Sequence, residues 1–147
     1  MKTKSFFLTP QIHRYILDHI SAPDALQREL IEETEKLGPM SMMQIAPEQG
    51  AFMELLVRVS GARRAIEVGT FTGYSALCIA RALGPGGSLL CLDTSADWTA
   101  IARRFWEKAG IADRIELRLA PGAETLAALP RETLFDFAFI DADKPGY

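Results

Sequence analysis

The sequence predicts an α/β domain of Rossmann-like form, a parallel sheet flanked by helices, with a helical region in front of it. Three observations carry this expectation. From Gly61 onward, short apolar runs of strand length alternate with segments of helical period, as right-handed βαβ units require. The first run closes on a glycine-bearing turn, and the second and fourth each close on an aspartate. The chain has 147 residues, room for one domain and hardly for two. It therefore reads as a single domain, with 1–60 as the helical region and 61–147 as the ligand-binding half.

The elements follow in order. Thr9 or Pro10 opens a first helix in which Ile12, Tyr15, Ile16, Leu17 and Ile20 recur at helical spacing. Ser21 is the expected N-cap of a second helix, with Pro23 in its first turn and Leu26, Leu30, Ile31 and Leu37 as its apolar stripe. Gly38-Pro39 stops it, and Met40 to Ala46 reads as a connection. A third helix runs from Pro47 to about Ser60, with Phe52, Leu55, Leu56 and Val59 on one face. Then come the strand Ala65 to Val68, the helix Tyr74 to Leu83 and the turn Gly84 to Gly87. The strand Ser88 to Leu92 ends at Asp93, and a helix runs from Asp97 to Ala109 with Gly110 behind it. Ile115 to Leu119, Ala123 to Leu129 and Phe135 to Ile140 complete the series as strand, helix and strand.

Composition narrows the class. Hydrophobic residues are 48% and charged residues 24% of the chain, an ordinary globular balance, with a formal charge of −3. That charge gives no electrostatic footprint for nucleic acid or an anionic membrane. No apolar run approaches the roughly 20 residues of a membrane span. Cys78 and Cys91 form neither a disulfide framework nor a CxxC pair, and both read as buried, inert thiols. The expectation is a soluble, cytoplasmic protein whose partner is a small molecule.

Chemistry concentrates at the strand ends, where such sheets bind ligands. The first strand leads into Glu67-Val68-Gly69-Thr70-Phe71-Thr72-Gly73-Tyr74-Ser75, where unpaired helix-entrance N–H groups can meet a ligand. A purely structural turn would look the same. Its glycine spacing lacks the Gly-x-Gly-x-x-Gly of dinucleotide binders, which argues against a nicotinamide oxidoreductase. Asp93, about 20 residues on, can accept ribose hydroxyls; it can also cap the next helix, although Ser95 and Asp97 are available for that. The two features together favour an adenosine-containing ligand. Asp141-Ala142-Asp143-Lys144 places two carboxylates and an ammonium at the fourth strand's end. Asp141 can ligate a hard cation and Lys144 can serve as a base, or the tetrapeptide is a solvated loop. His13 and His19 read as surface or cap residues, and Trp98, Phe105 and Trp106 as packing on the sheet. Trp98 alone is placed to border an adenine ring.

Ala65 to Ser75, Leu89 to Trp98 and Phe135 to Tyr147 resemble, in order, the cation-dependent, S-adenosylmethionine-dependent O-methyltransferases of the caffeoyl-CoA and catechol type. The resemblance implies that Glu67, Gly69, Thr70 and Ser75 hold the methionine part of S-adenosylmethionine. It implies that Asp93 binds the ribose, that Ala123 lies against the adenine and that Ile45 closes over the cofactor. In a full-length parent Asp141 would be a ligand to magnesium or calcium and a catalytic contact, with Lys144 the candidate base. A hydroxylated small-molecule acceptor, of the kind of the family's catechols and phenolic acyl compounds, and a homodimer are implied as well. In the family the first strand lies between the second and fourth, so Phe135 to Ile140 is expected beside the first. Relatives carry an Asp-Asn pair on a later strand, which this sequence does not reach, so a fragment of a longer protein is expected. The alternative is a module that binds S-adenosylmethionine without turnover.

Overall fold

Helix starts in the N-terminal region are set by caps and prolines. In the computed structural model, which describes residues 8–132 and 134–144, α1 spans Pro10–His19 and Thr9 Oγ1 accepts from Ile12 N–H at 3.3 Å. The second helix, α2 (Ala25–Glu35), is capped by Asp24 and not by Ser21. Asp24 and Gln27 form a reciprocal capping box, each side chain bonded to the other's backbone N–H at 2.8 and 2.9 Å. Ser21 lies too far upstream to reach those donors. Residues Gly38–Met43, which take in the expected stop at Gly38-Pro39 and the first part of the expected connection Met40 to Ala46, form a 3₁₀ helix.

The third helix, α3 (Pro47–Ser60), corrects the sequence more substantially. Its stripe of Phe52, Leu55, Leu56 and Val59 is exposed, whereas Gly50, Met53 and Val57 face the core. Gly50 decides the choice. A Cβ there would lie 2.8 Å from Tyr74 Cε1 and 2.9 Å from Cys78 Sγ, so a glycine is what lets α3 close on the following helix. His13, expected at the surface, is likewise buried, with Nε2 3.3 Å from Glu48 Oε1.

The remaining elements are β1 (Arg64–Val68), α4 (Tyr74–Ala82), β2 (Ser88–Asp93), α5 (Ala96–Lys108), a 3₁₀ turn at Ala112–Arg114, β3 (Ile115–Leu119), α6 (Gly122–Ala128) and β4 (Phe137–Ile140). All strand pairs are parallel and the order is β3-β2-β1-β4, as the alternating pattern and the resemblance imply. The fourth strand starts two residues later than expected. Asp136 carboxylate accepts the N–H groups of Arg63 and Arg64, each at 2.8 Å, and so pins the chain before pairing begins.

Period-two alternation gives the sheet two apolar faces. Ala65, Leu89 and Cys91 pack with α3, α4 and α5, where Trp106 and Phe105 are almost fully buried. Ile66, Val68, Leu90 and Leu92 form a smaller cluster on the other face. β1 and β2 are the central strands, and the site is built at their carboxyl ends. No helix among the described residues is long and apolar enough to cross a membrane.

Gly50→Ala tests the packing of α3. The added methyl must displace Tyr74 or Cys78, and overpacking of this kind costs about 1–3 kcal/mol. Thermal unfolding should show a lowered midpoint for the variant; an unchanged one would mean that the α3–α4 contact is not close-packed.

Candidate functional site

Beyond Val68 the chain turns through Gly69 to Gly73 into α4. Gly69 has φ +91°, and a Cβ there would stand 2.3 Å from the Asp141 carbonyl oxygen. Only glycine therefore allows this turn to pass against the end of β4, where Asp141 N–H donates to Val68 O at 2.8 Å. Gly73, at φ +83°, meets Ala102 and Trp106 just as closely, and the Trp106 indole donates to Gly73 O at 3.3 Å. Between them Phe71 is the one non-glycine residue among those described with positive φ, +52°. Its ring meets Trp98 edge-to-face with centroids 5.0 Å apart.

Asp93 holds this turn in place. Its Oδ2 accepts from Thr70 N–H at 2.9 Å and from Phe71 N–H at 2.8 Å, and its Oδ1 accepts from Ser95 N–H at 2.8 Å. A carboxylate offers about four lone-pair positions, and these three bonds leave little beyond one for a ligand. The capping role weighed for Asp93 falls instead to Ser95, whose Oγ accepts from Trp98 N–H.

Around the turn lies a cavity of about 1210 Å³. Gly69, Thr70, Ser75, Asp93, Ala123 and Ile45 all line it, as do Asp141 and Lys144 at one end and Trp98 beside Asp93. Gly122 packs so tightly on Val68, 2.6 Å from a built Cβ to Cγ1, that the Pro121-Gly122-Ala123 segment is pressed onto the sheet's end. At the far end Lys144 Nζ lies 2.6 Å from Asp141 Oδ1.

The sequence profile of the O-methyltransferase family matches residues 18–147. The chain belongs to that family. "Probable caffeoyl-CoA O-methyltransferase 1" of Dictyostelium discoideum is 40% identical over 139 residues, covering 92% of this chain and 60% of the relative. Tricin synthase 1 of Oryza sativa subsp. japonica is 37% identical over 153 residues, 98% of this chain and 60% of its own. Among solved structures, an O-methyltransferase from Bacillus cereus in complex with SAH superposes with TM-score 0.81 at 35% identity, over 91% of this chain and 61% of that one. TomG from Streptomyces achromogenes, in complex with SAM, gives TM-score 0.82 at 28% identity over 92% and 61%. The chain thus spans about three fifths of the length of the relatives it matches.

For this family member the sequence-derived residues converge with one exception. Glu67 does not line the cavity; it is fully buried beneath the turn. Burial pushes its carboxyl up to about 7, against the lowering influence of the Ser75, Thr70 and Cys91 side chains. Those groups satisfy it incompletely. The Cys91 thiol reaches Oε2 at 3.6 Å, while Oε1 and the neighbouring Thr70 Oγ1 have no hydrogen-bond partner among the described residues. The Thr70 hydroxyl, on the cavity wall and without a partner among the described residues, the cavity of about 1210 Å³ and the Phe71–Trp98 aromatic pair that lines it fit the cofactor that the resemblance implies. Both thiols, Cys78 and Cys91, are buried and raised well above the usual range by that burial.

The divalent cation fits less well. Among the described residues no three of His, Cys, Asp and Glu come together to hold a metal. Asp141 stands with Lys144, an ammonium, on its Oδ1. Sequence reasoning gave no role to Phe71 or to Met42 and Met43, which also line the cavity. An aromatic side chain inside a glycine turn was the available signal for the first; nothing local marked the methionines.

Glu67 makes stability depend on pH. Its folded carboxyl titrates near 7 and an ordinary one near 4.5. Protonated, it is tolerated; ionised, it destabilises the fold. Stability should therefore fall as pH rises from about 4.5 to 7, by up to about 3 kcal/mol. Denaturant titrations at pH 5 and pH 8 should show this loss in the parent and a much smaller one in Glu67→Gln. Parallel profiles for the two proteins would contradict the assignment.

Proposed function

We propose that the protein binds S-adenosylmethionine in the cavity at the ends of β1 and β2 and transfers its methyl group to a hydroxyl of a small phenolic acceptor. The observation that carries this reading is the turn between Gly69 and Gly73, fixed by Asp93 and opening on a cavity that also reaches Asp141 and Lys144. The cofactor supplies an electrophilic methyl on a sulfonium. This chain's residues bind and orient. Asp93 offers its remaining lone pair to the ribose, Ala123 and Trp98 flank the base, and Thr70 and Ser75 face the amino-acid end. Ile45 covers the cofactor from the N-terminal side.

Alignment of the acceptor oxygen with the methyl group is the main contribution such a pocket makes. Asp141, on the border of the cavity, receives the acceptor hydroxyl. Lys144 Nζ donates to Asp141 in the structure, so its service as a base requires that pair to open. Cation assistance belongs to the same reading, with Asp141 the one ligand assigned to it; the described residues do not by themselves build a metal site. Homodimerisation and a cytoplasmic location are part of the reading too; the exposed apolar stripe of α3 supports the former. The names of the caffeoyl-CoA-type relatives support a phenolic acceptor.

Calorimetric titration with S-adenosylmethionine tests the binding step. Asp93→Ala removes the charge-assisted bonds that shape the turn and should weaken binding by about 1–3 kcal/mol. Equal affinity in variant and parent would remove Asp93 from the site. Methylation of catechol in the presence of magnesium tests the transfer itself, and Asp141→Ala should abolish it. Binding without any transfer would favour the non-catalytic module.

A further inference from the structure

A second cavity, of about 600 Å³, lies under the N-terminal helices and shares Met42, Met43, Gln44, Ile45 and Asp141 with the first. Its walls are largely apolar, with Ile16 from α1, Ile20 just behind it, Met42, Met43 and Phe52 from α3, interrupted by the amides of Gln44 and Gln49. Methionine side chains adapt to planar aromatic bodies, so this lining suits a ring. Besides Asp141, one other acidic residue lines it: Glu48, in the first turn of α3. His13 from α1 sets its position through Glu48 Oε1 at 3.3 Å, and the two side chains are only 9% and 16% exposed. Glu48 Oε2 is buried and has no hydrogen-bond partner among the described residues.

Such an oxygen is costly to bury unless something donates to it. Nothing in cofactor binding uses it. We propose that this cavity seats the body of the methyl acceptor, and that Glu48 selects aromatic acceptors carrying a hydrogen-bond donor, best a protonated amine, away from the methylated hydroxyl. The proposal rests on the methyl-transfer reading. The two carboxylates of the cavity differ in their company. Asp141 has the Lys144 ammonium 2.6 Å away, whereas among the described residues Glu48 has the longer contact to His13. Of the two, Glu48 is therefore the one placed to draw a cation and turn away an anion. In apolar surroundings both effects exceed what the same charges show in water.

The test uses two catechols of equal size, one bearing an aminomethyl group and the other a carboxylate, titrated into the full chain saturated with S-adenosylhomocysteine. The parent should bind the amine at least about tenfold more tightly. Glu48→Gln, which keeps the shape and removes the charge, should erase most of that preference while leaving S-adenosylhomocysteine affinity unchanged. A parent that binds the carboxylate equally well or better overturns the proposal, whether or not the variant folds. So does a Glu48→Gln protein that keeps the preference. If S-adenosylhomocysteine binds and neither catechol does, the selection by Glu48 fails while cofactor binding stands; if S-adenosylhomocysteine does not bind, both fail.

Discussion

One carboxylate organises the site. Asp93, at the last position of β2, takes two N–H groups of the neighbouring turn on a single oxygen and one N–H of its own loop on the other. Two of those donors, Thr70 and Phe71, lie in the turn ahead of α4, and the third, Ser95, is the N-cap of α5. The bonds fix the turn's path, including the left-handed Phe71, which backbone sterics alone disfavour. Removing the carboxylate frees the turn as well as taking away the proposed ribose contact.

The turn is braced from three further directions. The end of β4 lies so close to Gly69 that no side chain fits between them. From α5, Trp106 donates to the Gly73 carbonyl. From α2, Thr34 Oγ1 lies 2.8 Å from Thr72 Oγ1, both residues being fully buried. The N-terminal helices thus do more than precede the sheet. They clamp the turn, supply Ile45 to the first cavity and enclose the second. Glu67 shows the cost of this density, since a carboxyl locked beneath the turn is driven toward its neutral form.

How legible this was in the sequence varied with the range of the forces involved. The strands could be read because β1 and β2 are buried on both faces and appear as short apolar runs with clear punctuation. The strand-end motifs could be read because each is local: a glycine turn, an aspartate closing a strand. The inward face of α3 could not. Hydrophobicity pointed to Phe52, Leu55, Leu56 and Val59, and the deciding contact is between Gly50 and two residues on a helix more than twenty positions away. His13 looked like a surface residue for the same reason, its partner Glu48 being 35 residues distant. Asp93 is legible only in part. Its position predicted a ligand contact, and only the fold shows that most of its hydrogen-bonding capacity is spent on the turn.

The turn held by Asp93 is where the cofactor is proposed to lie. Hydrogen exchange of the 147-residue chain, with and without S-adenosylhomocysteine, tests this directly. The ligand should slow exchange in 69–75 and in 93–98, and leave the exposed face of α3 unchanged. Binding that protects some other part of the chain while exchange in 69–75 stays the same would contradict it.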